Sequence, residues 1–322
     1  MPLQAASHVN AAVRGFAVGG WQQNFVLRGV LPTVPSEFET DSYHIWDQPS
    51  LLRNEALKVT ATAKAPRGFF PTSTDSFTID VYKFAWAIPT RNYANSDAAV
   101  REEMNSSRNV GQKLGIAAER AISSFLTGTA WVGATSQNAG GNWDTGGGDP
   151  IGNVETAKYG IWSKNGFRAT DIVCGYGVYH WLRQHPAILE RIGIRPTSGQ
   201  SVVAGQGIAS VTQQTLATIF DVERFTVVDG IYEAAASGAT SAPTPIMGDT
   251  MVVLYSPRTA TTYDAPAGVM FQLQNQYMQG EMRVRTYLED DPEVTVTEGT
   301  TAFACKATNL NAGALITNCL SI

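Results

Sequence analysis

The chain has 322 residues, 43% of them hydrophobic and 10% aromatic, enough to bury a sizeable core and to exclude a disordered, collagenous or coiled-coil class. Its charged fraction of 16%, against roughly 25% in an average soluble protein, points to a surface covered by something other than water. With 23 basic and 28 acidic residues, a net charge of −5 and no Lys/Arg-rich block, direct readout of nucleic acid through a basic patch is demoted.

The first forty residues carry Gly15, Gly19, Gly20, Gly29, Pro32 and Pro35 without sustained periodicity, and read as an irregular arm rather than a core element. From Leu57 the pattern alternates. Leu57, Val59, Ala61 and Ala63 share one face, and after the run from Pro66 to Pro71 come Phe77, Ile79 and Val81 against Thr78, Asp80 and Tyr82. These two runs predict a long hairpin with an aromatic connection. Asn95, Ser96 and Asp97 offer capping side chains, and a helix pattern then runs to Phe125 before Thr127-Gly128 stops it. About 30 residues at 1.5 Å each make a rod of ~45 Å, with Val100, Met104, Leu114, Ala118, Ile122 and Phe125 roughly along one stripe. Gly111, Gly115, Ala117, Ala118 and Ala121 admit a close neighbour, although each glycine weakens the helix by roughly 1 kcal/mol against Ala. Residues 133–150, rich in Gly, Asn and Ser, predict a loop.

A mixed region follows. A helix is expected over 153–165, with Val154, Ala157, Ile161 and Trp162 on one side and Asn165-Gly166 as its stop. Ile172-Val173-Cys174 is a short buried strand, followed by helices over 178–184 and, from Pro186, to Ile192. A Gly/Ser-rich connection spans 196–207, and Ser210-Val211-Thr212-Gln213 fits a capping box for the helix carrying Leu216, Ile219 and Phe220. Strands are expected over 225–228 and 251–255, with a loop at 234–248 between them. The last part alternates again, Met282, Val284, Thr286 and Leu288 opposite Arg283, Arg285 and Tyr287, then Val294 and Val296 after Asp290-Asp291-Pro292.

Signatures of catalysis are missing. There is no G-x-x-x-x-G-K-[ST], no G-x-S-x-G and no H-E-x-x-H, and Gly175-Tyr176-Gly177 and Gly205-Gln206-Gly207 lack the third glycine of a dinucleotide fingerprint. His180 and His185, about 140° apart around a helix, do not share a face, so a histidine on a helix surface and an N-cap neighbour of Pro186 are the better reading. Cys174, Cys305 and Cys319 have no C-x-x-C spacing and read as small buried hydrophobes, with Cys174 an inert thiol of raised pKa. The acidic run from Glu289 to Glu293 lacks the alternate spacing of a calcium loop. No catalytic, cofactor-binding or metal-binding residue is expected.

The start, Met1-Pro2-Leu3-Gln4, shows neither a basic nor an apolar leader, and no apolar run reaches about 18 residues, so a soluble chain without a membrane partner is expected. A hairpin and an arm lacking their own cores offset their ordering entropy only by lying on neighbouring chains. Arg67, Phe69, Phe70 and Trp86, on segments expected to protrude, fit anchors of such inter-subunit contacts.

The order of elements resembles one family, the major capsid proteins of tailed bacteriophages with the Hong Kong ninety-seven coat fold. The run from Phe77 through Trp86 to Pro89, followed by Asn95-Ser96-Asp97 and the helix, is similar to the second strand of that family's extended loop entering its spine helix. The stretch from Gly166 through Ile172-Val173-Cys174 and Val178-Tyr179 to His185-Pro186 resembles its apolar strand, helix and His-Pro step. Thr215 to Val222 with Val227-Val228-Asp229-Gly230 looks like its axial helix and strand.

The resemblance implies an α+β fold with an N-terminal arm (1–44) and an extended hairpin loop (45–92). It also implies a peripheral domain with a long spine helix (93–150 and 271–322) and an α/β axial domain (151–270). It implies a coat protein, not an enzyme, whose copies form hexamers and pentamers of an icosahedral shell around double-stranded DNA enclosed without specific binding. A virion location with assembly in the host cytoplasm follows from it, with a separate scaffolding protein, or none, and a portal and a decoration protein as partners. The rivals are an encapsulin-like compartment of the same fold and, from another class, an α/β enzyme without a recognisable motif.

Overall fold

The computed structural model describes residues 25–46, 72–90, 99–132, 137–140, 143–192, 211–236, 238–259 and 265–321, with positions 52–56, 58, 64, 65 and 67. A 3-10 turn (Leu27–Gly29) comes first, then β1 (Thr33–Ser36), β2 (Thr40–Trp46), β3 (Thr72–Thr78), β4 (Asp80–Pro89) and the helix α1 (Ala99–Gly128). The middle holds β5 (Gln137–Asn138), α2 (Pro150–Asn165), β6 (Asp171–Gly175), α3 (Tyr176–Leu182), α4 (Pro186–Arg191), α5 (Gln213–Ile219) and β7 (Arg224–Val228). The chain continues through β8 (Ile231–Glu233), β9 (Pro243–Pro245), β10 (Met251–Leu254), β11 (Gly268–Leu273), β12 (Arg283–Asp290), β13 (Glu293–Ala307) and β14 (Gly313–Thr317).

One sheet is built around β13, the longest strand described. It pairs antiparallel with β4 from Val294↔Pro89 to Phe303↔Asp80, with β12 over residues 293–300, and with β11 over residues 303–307. β1 adds in parallel on β11. Alternation along β13 sorts its side chains. Phe303 and Cys305 join the core beneath α1, and Thr297 bonds Ser106 of α1 at 3.1 Å; Ala302 and Ala304 belong to a separate cluster on the opposite face. At Gly299 any side chain would run into Val110 and Leu114.

The helix α1 buries Val110, Leu114, Ala118, Ile122 and Leu126, an unbroken series of i, i+4 steps. Leu126, not the expected Phe125, continues the stripe, and Phe125 packs partly buried against it. The ring of Phe25 occupies the notch left by Gly115, a close approach that the helix's small residues announced. Phe25, Leu27, Val30 and Leu31 are all buried in this core, so the later part of the expected arm is a core element. Sequence periodicity missed it because a single 3-10 turn carries too few residues to show a period.

The other sheet runs β5-β14-β10-β6-β7. Its strands are apolar on both faces. Ile172, Cys174, Met251, Val253, Ala314 and Ile316 face helices α2 to α5, while Val173, Val252 and Leu254 belong to the core shared with α1. The segments 137–138 and 313–317, grouped by the sequence reading with the peripheral unit, pair in this sheet instead. α2 is capped by Asp149, whose Oδ1 accepts from Gly152 N–H at 2.8 Å, and ends at Gly166 with φ 74°. Trp162, expected on the buried side with Val154, Ala157 and Ile161, is half exposed.

Further corrections are local. The N-cap of α5 is Thr212, which accepts from Thr215 N–H at 3.2 Å, not Ser210 at the head of the expected capping box. The region expected as a loop at 234–248 contains β9, paired with β8. The partner of 72–78 is 40–46, from Thr40↔Thr78 to Trp46↔Thr72, rather than the alternating run after Leu57. Leu57, Val59, Ala61 and Ala63 lie outside the described residues, as do the expected cap Asn95-Ser96-Asp97 and the whole 196–207 connection. The polar run of β2 hides a strand because its two faces differ little in hydropathy.

Candidate assembly surface

The hairpin β2–β3 leaves the first sheet at its root through an aromatic anchor. Phe77 stacks on Phe271 of β11 with centroids 3.9 Å apart, and Tyr43 lies 5.2 Å from the same ring. Phe77 and Ile79 are buried with Val269, Leu273 and Met278. Ile79 N–H donates to Glu39 O at 2.7 Å, which closes the root. Beyond it, the described β2 and β3 positions other than Tyr43, Ile45 and Phe77 are exposed. A two-stranded ribbon of this kind gains little from its own burial.

Charge is divided along the hairpin. The stem carries Glu37, Glu39, Asp41, Asp75 and Asp80 with no Lys or Arg, whereas the connection holds Arg53, Lys58, Lys64 and Arg67 against Asp47 and Glu55. Asp75 is held below the usual carboxylate range by Ser76 N–H and by the Tyr43 hydroxyl, which donates to it at 3.1 Å. Burial, together with that carboxylate, pushes the Tyr43 phenol up to about 12.

The face of the first sheet opposite α1 is partly open. Arg285 pairs with Glu298 across the β12–β13 register at 2.7 Å, and Arg283 lies over Tyr277 at 4.2 Å. Beside them is a cleft of about 370 Å³ lined by residues that include Glu39, Val81, Lys83, Tyr277 and Met278. It borders the hairpin root.

Of the anchors expected from sequence, Arg67 and Trp86 are among the described residues. Arg67 is exposed in the hairpin connection, and Phe69 and Phe70 lie outside the described residues. Trp86 belongs to β4, opposite Thr297 of β13, and keeps 40% of its surface exposed. It is therefore part of the sheet rather than of the protruding ribbon. The Phe77–Phe271 stack was missed; its signal was the apolar run from Val269 to Leu273.

Groups that could carry chemistry are placed structurally. His185 caps α4, its Nδ1 accepting Ala187 N–H at 3.3 Å, and burial lowers its pKa. His180 is exposed against Gln184. Burial raises the thiol of Cys174 and pushes that of Cys305 up to about 12. Among the described residues no cluster of three His, Cys, Asp or Glu side chains could hold a metal, and no helix is long and apolar enough to cross a membrane.

A long helix across one face of a sheet, a hairpin projecting from that sheet and an adjoining α/β unit define the architecture of a shell subunit, the Hong Kong ninety-seven coat fold. The family described as phage major capsid protein E matches residues 133–303, more than half of the chain, and the chain belongs to it. It is a coat protein that forms shells, a structural protein and not an enzyme. A phage-related protein from Bordetella bronchiseptica RB50 superposes with a TM-score of 0.70 at 17% identity, covering 98% of each chain. The capsid of cyanophage P-SCSP1u gives 0.57 at 10% identity over 98% of this chain and 92% of that one. The encapsulin SrpI of Synechococcus elongatus PCC 7942 gives 0.52 at 13% identity over 91% and 86%. None of the curated proteins searched matches the chain.

Proposed function

We propose that copies of this chain assemble as hexamers and pentamers into an icosahedral virion shell around double-stranded DNA, built in the host cytoplasm. A separate scaffolding protein, a portal and a decoration protein are its partners in this reading. The observation that carries it is the family match, and the stem whose exposed strands lack cover of their own supports it. Like-charged acidic stems repel one another, so a basic connection bearing Arg67 gains most by meeting acidic groups of another copy. Trp86 adds an apolar contact on the neighbouring sheet. The peripheral unit (93–150 and 271–322) and the axial unit (151–270) are the two parts that meet neighbouring copies, with 137–138 and 313–317 grouped with the axial sheet.

The test is the mass of the purified chain by light scattering after size exclusion, with negative-stain images. Closed shells, hexamers or pentamers support the reading. A chain that stays monomeric even with candidate scaffolding proteins added overturns it. Nuclease-protected double-stranded DNA in particles from infected cells supports the virion, whereas a packaged enzyme favours the compartment. Deleting residues 66–71 should leave the subunit soluble and block or weaken shell formation, and normal shells from that deletion would remove the hairpin from the interface.

A further inference from the structure

Residues 25–36 touch every major part of the fold. Phe25 fills the Gly115 notch of α1, and the Glu119 carboxylate of α1 accepts the N–H groups of Val26 and Leu27, the latter at 2.7 Å. Arg28 donates to Thr301 of β13 at 2.7 Å and lies over the Phe303 ring. Arg224 of β7 donates to Gly29 O at 3.0 Å, and Ser256, just past β10, donates to Val30 O at 2.5 Å. β1 then continues the segment onto β11, and the stem of the hairpin follows directly. The segment is a strap that ties the long helix to both sheets and sets the root of the hairpin.

Glu119 is the one carboxylate among these ties on α1, and it is 1% exposed. Arg28 acts on it from the strap and Asp229 from the segment after β7; Glu281, just before β12, and Cys305 of β13 act on Arg28. Its neighbour Arg120 is engaged with the Tyr232 ring, at 4.0 Å. Among the described residues, the Arg28 cation, itself desolvated, acts on both Glu119 and Glu281, and Asp229 adds a further negative charge near Glu119.

We infer that residues 25–36 are a proton-sensitive strap, seated across both sheets while Glu119 is neutral and loosened when it ionises. Burial dominates the balance and, against the two N–H groups and Arg28, lifts this carboxyl to about 7 from its ordinary 4.5. Because the seated pKa is the higher one, the contribution to seating is fully present below the ordinary value and is lost as pH rises through about 7. The consequence for hairpin placement rests on the assembly reading above; the strap itself does not.

The test is amide exchange in the unassembled full-length chain, with protection of residues 25–36 corrected for the intrinsic pH dependence of exchange. Between about pH 6 and 8.5 the protection of the wild-type strap should fall about tenfold relative to α2, and Glu119→Gln, which keeps an acceptor and gains a donor, should abolish that fall. An equal fall in Glu119→Gln, or a flat wild-type profile, overturns the inference. If Glu119→Gln does not fold, the wild-type series decides alone: a midpoint near 7 confined to the strap supports it, and parallel behaviour of α2 overturns it. A subunit that passes this test and forms no shells fails only the assembly reading.

Discussion

The two sheets solve the same burial problem in opposite ways. In the sheet β5-β14-β10-β6-β7, helices cover one face and the core shared with α1 covers the other, so β6 and β10 are buried at every position. In the sheet around β13, α1 covers one face, while on the other Val81, Lys83, Ala85 and Ala87 of β4 stay exposed and a hairpin extends past the edge of the core. The first arrangement is complete within one chain. The second leaves surface that a shell can use, because an open sheet face and an unsupported ribbon gain burial only from another copy.

The sharpest test of this contrast is a pair of apolar truncations. Phe220→Ala, in the fully covered region, should cost about 3–5 kcal/mol in denaturant unfolding, whereas Val81→Ala, on the open face, should cost the isolated subunit only about 1 kcal/mol. Equal losses would break the comparison. Where α1 does cover the open sheet, packing should be as strict as in the other: Gly299→Val pushes into Val110 and Leu114 and should lose about 1–3 kcal/mol. On the open face, Arg285→Met removes a partner of Glu298 that is about one-third exposed and should cost about 1 kcal/mol, a loss that added salt reduces in the wild type.

The smallest effect concerns pH. His185 has a lowered pKa because burial disfavours its charged form, and a protonated ring could not accept Ala187 N–H. Its contribution is therefore present above the ordinary histidine value of 6.5 and is lost as pH falls below it. Urea midpoints measured from about pH 8 down to 5 should decline less steeply in His185→Asn, which keeps a capping oxygen.

Much of the covered region was legible as local pattern. Val154, Ala157 and Ile161 announced the buried face of α2, Ile172-Val173-Cys174 announced β6, and Pro186 marked the start of α4. Trp162 was misassigned because an i, i+1 neighbour of Ile161 sits about 100° around the helix, at the edge of the buried stripe. The assembly surface was harder to read. Arg67 lies in the hairpin connection, where the sequence placed it, whereas Trp86, expected on a protruding segment, lies in a sheet. The anchor that positions the ribbon, Phe77 on Phe271, joins residues 194 positions apart, and no local period reports such a pair.

By itself the sequence determined the α+β class, the long helix with its glycine notches, most helix stops and the absence of catalytic signatures, because periodicity, capping chemistry and motif spacing act over a few residues. Only the tertiary structure decided that β2 is the partner of β3 and that β13 runs on to Ala307 between two sets of neighbours. It alone also placed Phe25, Leu27, Val30 and Leu31 in the core and β14 in the second sheet. Strand partnership and the burial of short irregular segments depend on groups far apart in the chain. They are settled by which apolar faces remain to be covered once the local elements have formed.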